Sequence, residues 1–131
     1  MENQFIYQNS FRQLIVWQKA KELTLRIYNI TKGFPKEETY ALVSQLRRAS
    51  SSVMANIAEG NERVGVKDRL KFFNQAKSSL VEVDCFWELA ENLGYLNERD
   101  YLDVLECINK TAYLLNKFMF SQKSQQSQRS Q

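Results

Sequence analysis

Residues 45–60 read QLRRASSSVMANIAEG, and they carry the clearest helical pattern in the chain. At about 100° per residue on a helix, its apolar residues and those just before it form one stripe centred on Val53. A second stripe beside it carries polar side chains that make directed hydrogen bonds. The stretch is therefore predicted to be a helix in close contact with another helix, a second subunit or a ligand. The apolar stripe consists of Leu42, Leu46, Ala49, Val53, Ile57 and Gly60, and the polar stripe of Gln45, Arg48, Ser52, Asn56 and Glu59.

Three further segments repeat apolar residues in alternating steps of three and four, one before this stretch and two after it. Such spacing favours helices that cross at about 20°. The links between the four segments are short, so successive helices are expected to be antiparallel. The sequence thus predicts an all-α fold, an up-down-up-down antiparallel four-helix bundle over residues 11–120. A flexible arm at residues 1–10 precedes it, and a disordered Ser/Gln-rich tail at residues 121–131 follows it.

Helix ends and core positions follow from the same pattern. Gly33 is expected to end the first helix, Pro35 to start the second, Gly94 to end the third and Asn97 to cap the fourth. The predicted core of the other helices is Val16, Ala20, Leu23, Ile27 and Ile30, then Phe73, Ala76, Leu80, Val83, Trp87 and Ala90, then Tyr101, Leu105, Ile108, Ala112, Leu115 and Met119.

The composition argues against catalysis. The chain has no histidine, so Ser-His-Asp and Cys-His nucleophilic sites and Glu-x-x-His di-iron sites cannot form. Cys85 and Cys107 belong to no CxxC motif and are expected to be buried or half-buried hydrophobes. Three glutamates, Glu59, Glu62 and Glu82, have no partner base and no glycine-rich loop nearby. We expect no catalytic, cofactor or metal site, no small-molecule substrate and no enzyme activity.

The chain is expected to reside in the cytoplasm. No apolar run approaches the roughly 18–20 residues of a membrane span, and the first ten residues lack the pattern of a signal peptide. The formal charge is +3, and the densest basic run is Arg63, Lys67, Arg69 and Lys71, which Asp68 partly offsets. This run has two interpretations, a solvated face that favours solubility or a contact for RNA or DNA.

Asn56 and the small residues around it also have two interpretations. Asn56 lies about 60° from the centre of the apolar stripe, so its amide needs a partner. It either bonds a neighbouring helix and fixes the register of the bundle, or contributes to an interface or ligand site with Ser52 and Glu59. Small residues occur on several sides of this helix, although a monomer covers only about half of it. A second small face therefore favours subunit packing.

Several separated motifs resemble one known family. They are residues 14–20 (LIVWQKA), 34–38 (FPKEE), 45–49 (QLRRA), 56–60 (NIAEG), 76–82 (AKSSLVE) and 93–96 (LGYL). Their order and spacing are similar to those of the four-helix bundle family named for proteins encoded in intervening sequences of bacterial 23S rRNA genes. The resemblance covers about residues 11–118. Ser78 departs from it, because the family commonly has glycine there.

The resemblance implies a small bacterial bundle without a well-defined function, and some members and relatives form ring-like homopentamers. It also implies a distant similarity to the accessory protein of diversity-generating retroelements, which binds nucleic acid and is more basic than this chain. We therefore expect a non-enzymatic, self-assembling scaffold or adaptor, a homo-oligomer with five copies as the number that the family suggests. The expected packing residues are Gln45, Arg48, Ala49, Ser52, Asn56, Glu59 and Gly60.

The alternative is an RNA- or DNA-binding accessory protein in which a ring repeats a basic patch. Several weak contacts would then add, because each copy presents the same patch to one nucleic acid. The residues expected to make these contacts are Arg63, Lys67, Arg69 and Lys71.

Overall fold

Four long helices build the chain in the computed structural model, which describes the backbone of residues 10–130 and the side chains of residues 10–125. They are α1 (Ile15–Thr31), α2 (Leu42–Glu62), α3 (Val66–Asn92) and α4 (Glu98–Ser130). Short 3-10 turns at Ser10–Gln13 and Lys36–Glu38 precede α1 and α2. The predicted arm lies outside the described residues, apart from Ser10.

Each helix packs against its neighbours in the chain, and α1 also packs against α4. Within the described residues α1 does not pack on α3, nor α2 on α4, so these pairs occupy opposite corners of the bundle. The short links reverse the chain direction at each step. The predicted all-α, up-down-up-down antiparallel four-helix bundle is confirmed.

The core matches the prediction closely for α2 and α3. All six predicted positions of the apolar stripe on α2 are buried, as are all six on α3. On α4 the buried face is rotated by about 50° from the predicted one. Tyr101, Leu105 and Ala112 are only half-buried. The buried residues of α4 are Val104, Cys107, Ile108, Thr111, Leu115, Met119 and Gln122.

The helix ends follow the prediction at three of four positions. Gly94 has a φ of 79°, and the amide of Tyr95 donates to the carbonyl of Ala90 (3.1 Å), which forms a Schellman-type end for α3. Asn97 caps α4, since its Oδ1 accepts the amide of Asp100 at 2.7 Å. Gly33 follows the end of α1.

The predicted start of α2 at Pro35 is wrong. Residues 36–38 form a 3-10 turn instead, and α2 begins at Leu42. The aromatic ring of Phe34 is buried and packs on Tyr95 with ring centroids 5.3 Å apart. Tyr95 also donates a hydrogen bond to Glu38 Oε2 (2.8 Å). These contacts tie the link to the end of α3, and the helix starts only after it.

The end of α4 also differs from the sequence expectation. Residues 121–130 continue the helix, where the Ser/Gln composition predicts a disordered tail. Gln122 is buried, and its Oε1 accepts a hydrogen bond from Arg69 Nε at 2.9 Å. Glutamine is a good helix former, so one anchored glutamine and favourable propensity extend α4 past the apolar core.

Candidate functional site

The buried side of α2 contains two of the predicted packing residues, Ala49 and Gly60. A Cβ atom added to Gly60 would lie 2.6 Å from Phe73 Cε1 and 3.1 Å from Phe72 Cβ. Only glycine therefore permits this approach of α2 and α3. Ala49 and Gly60 pack inside the single chain.

The polar stripe of α2 bonds mainly to its own helix. Arg48 Nη2 donates to Gln45 Oε1 at 2.9 Å, and Asn56 Nδ2 donates to the carbonyl of Ser52 at 2.9 Å. In the described part of the chain, Asn56 therefore does not fix the register by bonding a neighbouring helix. Glu59 Oε1 accepts from Arg63 Nη2 at 2.8 Å. Gln45, Arg48 and Glu59 are exposed, while Ser52 and Asn56 are half-buried.

The solvent-facing side of α2 carries a second regular stripe, which we call the outer α2 face. Its members recur in steps of four and three and lie opposite Val53, the centre of the buried side. Four of the six are small, which leaves a shallow depression around Ala55 and Ala58. The regular spacing of this face is visible in the sequence. Its outward direction becomes clear only from the structure, where the opposite side of α2 is buried. The outer α2 face consists of Ser44, Arg48, Ser51, Ala55, Ala58 and Glu62.

Arg69 is half-buried where α3 meets the ends of α2 and α4. Its Nη1 donates to the carbonyls of Asn61 (2.8 Å) and Arg63 (3.2 Å), and its Nε donates to Gln122. Burial lowers the pKa of Arg69. The guanidinium thus closes the C-terminal end of α2 and joins it to α4. Because Nε and Nη1 already donate to protein oxygens, Arg69 is less available for a nucleic-acid contact than Lys67 and Lys71.

The other three residues of the basic run remain at the surface. Lys67 and Lys71 are exposed and lie one helical turn apart at the start of α3. Arg63 is half-exposed, because it pairs with Glu59 and its guanidinium lies 4.5 Å above the centre of the Phe72 ring. Lys67 and Lys71 are therefore the freest cations of this run.

Charge is distributed unevenly along the bundle. The antiparallel order brings the starts of α1 and α3 together with the ends of α2 and α4, as the Arg69 bonds illustrate. This half, residues 10–22, 53–79 and 114–125, contains ten Lys and Arg and four Asp and Glu. The other half, residues 23–52 and 80–113, contains seven Lys and Arg and ten Asp and Glu. We call the first half the basic end and the second the acidic end.

The two cysteines occupy different environments. Cys107 is buried between α1 and α4, and burial raises the pKa of its thiol. Cys85 is exposed on α3, so the expectation that it is at least half-buried is wrong. Among residues 10–125, no cluster of three or more His, Cys, Asp or Glu side chains is arranged to hold a metal ion. No helix in the described chain has the length and apolar character needed to cross a membrane.

The sequence of this bundle matches one family over most of its length. The profile of the 23S rRNA-intervening sequence proteins aligns with residues 12–117, which include α1, α2, α3 and most of α4. The chain belongs to the 23S rRNA-intervening sequence protein family. The predicted resemblance is thereby confirmed. The family match spans the outer α2 face, Lys67, Lys71 and Arg69, but stops before Gln122.

A solved structure gives the same fold for a protein of this kind. A protein of unknown function from the S23 ribosomal protein family of Bacteroides thetaiotaomicron VPI-5482 matches this 23S rRNA-intervening sequence protein with a TM-score of 0.74. The two are 24% identical, and the match covers 80% of this chain and 98% of the other. At this identity the likeness shows the fold alone. No curated protein is significantly similar to the chain.

Proposed function

We propose that this protein is a non-enzymatic, homo-oligomeric scaffold or adaptor whose copies associate through the outer α2 face. The observation that carries the proposal is the outer α2 face, where four of six positions are small; Ser44 and Ala55 are exposed, and Ser51 and Ala58 are half-buried. Such a stripe supports oligomerisation, because small side chains let a second helix pack closely along it.

The family resemblance makes five copies the expected number. The absence of histidine supports a non-enzymatic role, since it removes the side chain that most often acts as a general acid or base. The exposed polar residues Gln45 and Glu59 flank the outer α2 face and would form the rim of the contact. A polar rim around a small, closely packed centre is typical of protein interfaces.

Light scattering coupled to size exclusion tests this proposal. The wild-type protein is expected to have a mass several times that of the 15.4 kDa chain at micromolar concentration, about fivefold for a pentamer. Ala55→Arg is expected to reduce the mass to that of one chain, because a long charged side chain fills the depression. A wild-type mass near 15.4 kDa would refute the proposal.

Ser78→Arg is the matched control for this experiment. Ser78 is also small and exposed on a helix, but it lies on α3 outside the outer α2 face. Its substitution is expected to leave the mass unchanged. Circular dichroism of both variants checks that helix content is retained. Equal loss of mass in both variants would show that the outer α2 face has no special role.

A second candidate function is binding of RNA or DNA at the basic end. The excess of ten cationic over four acidic side chains in this half favours it, because phosphate neutralisation dominates the affinity for nucleic acids. Lys67 and Lys71 are expected to contribute most, since they are exposed and one turn apart. Lys117 and Lys123 on α4 extend the same end.

Fluorescence anisotropy with labelled RNA and DNA, over a series of salt concentrations, tests the second candidate. The double substitution Lys67→Glu and Lys71→Glu is expected to weaken binding by at least tenfold and to flatten its salt dependence. The matched control is Lys32→Glu with Lys36→Glu, which removes the same charge from the acidic end. Lack of binding at low salt, or an equal loss in both double variants, would eliminate this candidate.

A further inference from the structure

Helix α4 exposes an apolar stripe that no part of the described chain covers. Leu102, Tyr113 and Phe120 are 50%, 64% and 71% exposed. On a helix they lie within about 20° of one another, because they are separated by eleven and seven residues. Val104 and Gln122, which are buried, point to the opposite side. We call Leu102, Tyr113 and Phe120, with the exposed Glu106 and Lys117 beside them, the outer α4 face.

The outer faces of α2 and α4 are at opposite corners of the bundle, and the two helices run in the same direction. Arg69 fixes their relative height, since it donates to the carbonyl of Asn61 on α2 and to Gln122 on α4. Both helices rise by about 1.5 Å per residue. Asn61 and Gln122 are therefore at one level. Six residues before each of them, Ala55 on α2 is at the height of Asn116 on α4, which lies between Tyr113 and Phe120.

The charges on the two faces are complementary in this register. Arg48 lies toward the start of the outer α2 face, and Glu62 lies at its end. On α4 the order is opposite, since Glu106 lies toward the start and Lys117 toward the end. Placed side by side in parallel and at the same height, the helices bring Arg48 within about one turn of Glu106, while Lys117 lies about 9 Å along the axis from Glu62. Lys123 adds a second cation at the level of Glu62.

The sizes of the side chains are complementary as well. The outer α4 face presents three large apolar groups, and the outer α2 face presents Ser44, Ser51, Ala55 and Ala58. Pairing two outer α2 faces would leave the large groups of α4 in water. Pairing α4 with α2 of another copy covers both faces in one contact, and the hydrophobic effect favours this arrangement.

We propose that the outer α4 face of one copy binds the outer α2 face of the next copy, with the two helices parallel. This inference rests on the proposed self-assembly and specifies the surface that the outer α2 face contacts. The contact is heterologous, so every copy has one free face on each side until the assembly closes. Because the two faces lie at opposite corners, a contact without rotation extends as a filament, and a ring of five forms only if each contact turns the next copy by about 72°. Because the helices are parallel, all basic ends point to the same side of the assembly.

Mixing two assembly-blocked variants tests this contact. Ala55→Arg blocks the outer α2 face, and Tyr113→Asp blocks the outer α4 face. Each variant alone is expected to have the mass of one chain, 15.4 kDa, by sedimentation equilibrium. An equimolar mixture is expected to contain a species of two chains, since each variant supplies the intact face that the other lacks. Leu89→Asp, at another exposed apolar residue on α3, is the matched control and should keep the wild-type mass.

The outcomes separate the inference from the proposed function. A monomeric wild-type protein would refute self-assembly itself. A wild-type oligomer in which Tyr113→Asp keeps the full mass would refute only the α4 contact. If that full mass is two chains, it would indicate pairing of two outer α2 faces, which closes at a dimer. A mixture that stays monomeric would also overturn the heterologous contact. A charge exchange gives a second measure: Glu62→Lys and Lys123→Glu should each lower the mass, and the two combined in one chain should restore it.

Discussion

Replacement of Arg69 by methionine is expected to destabilise the bundle markedly. Methionine keeps an unbranched, flexible stem of similar reach but removes all the donors of the guanidinium. The substitution eliminates the bonds to the carbonyls of Asn61 and Arg63 and to Gln122, at 2.8, 3.2 and 2.9 Å. A hydrogen bond to a charged group contributes about 1.5–3 kcal/mol, and bonds that share one donor group do not add fully.

We expect Arg69→Met to reduce the free energy of unfolding by about 2–4 kcal/mol, since the lost bonds outweigh the relief of guanidinium desolvation. Urea unfolding followed by circular dichroism measures this loss, with all variants at one protein concentration. The m-value should stay unchanged, because the surface exposed on unfolding is the same. Lys71→Met on the same helix is the control and should change the free energy by less than about 0.5 kcal/mol.

A loss below about 0.5 kcal/mol for Arg69→Met, the value expected of an exposed cation, would contradict an anchoring role for Arg69. A double-mutant cycle gives an independent check. Arg69→Met and Gln122→Met should couple, because they remove the two partners of one hydrogen bond. Strictly additive losses would mean that Arg69 does not anchor α4.

Three further outcomes are expected. Gly60→Ala should lower the free energy of unfolding by about 1–2 kcal/mol, since overlap with the buried Phe73 ring outweighs a helix-propensity gain of about 1 kcal/mol. Urea unfolding measures this change, and a more stable variant would contradict the close approach of α2 and α3. Mass spectrometry after iodoacetamide treatment at pH 8 should find Cys85 alkylated and Cys107 protected, because Cys107 is buried and its thiol pKa is raised; equal labelling in the folded protein would contradict this. The hydrogen bond from Lys19 lowers the pKa of Glu22, so the stability that Glu22 contributes is present above its unfolded pKa of 4.5 and is lost as pH falls through its lower folded pKa. The melting temperature of Glu22→Gln should therefore fall less steeply with acid than that of wild type. Parallel curves of melting temperature against pH would exclude the ion pair as a contributor.

The sequence determined the core of α3 because all six inward positions are apolar and recur regularly. It failed on α4 because two inward residues are polar. Thr111 satisfies its hydroxyl by donating to the carbonyl of Cys107 at 2.7 Å, and Gln122 pairs with Arg69. Because threonine and glutamine usually face water, the predicted buried face of α4 was rotated away from Thr111 and Gln122.

The residues of the candidate site could be predicted from the sequence, but their exposure and their partners could not. The small residues of α2 and the basic run can be read from the sequence. Whether their side chains face solvent or protein depends on which side of each helix the bundle buries. Arg69 shows the limit most clearly, since its partners lie up to 53 residues away in the chain. Periodicity describes a helix and its faces, whereas such a contact depends on how the helices are placed together.

The separation of charge between the two ends gives the molecule an electric dipole along its long axis. A polyanion that approaches from any direction exerts a torque on this dipole and turns the basic end toward itself before contact. More encounters then begin in one orientation, which raises the association rate and makes it sensitive to ionic strength. In an assembly of parallel copies the dipoles would add, and one side of the particle would attract what the other side repels.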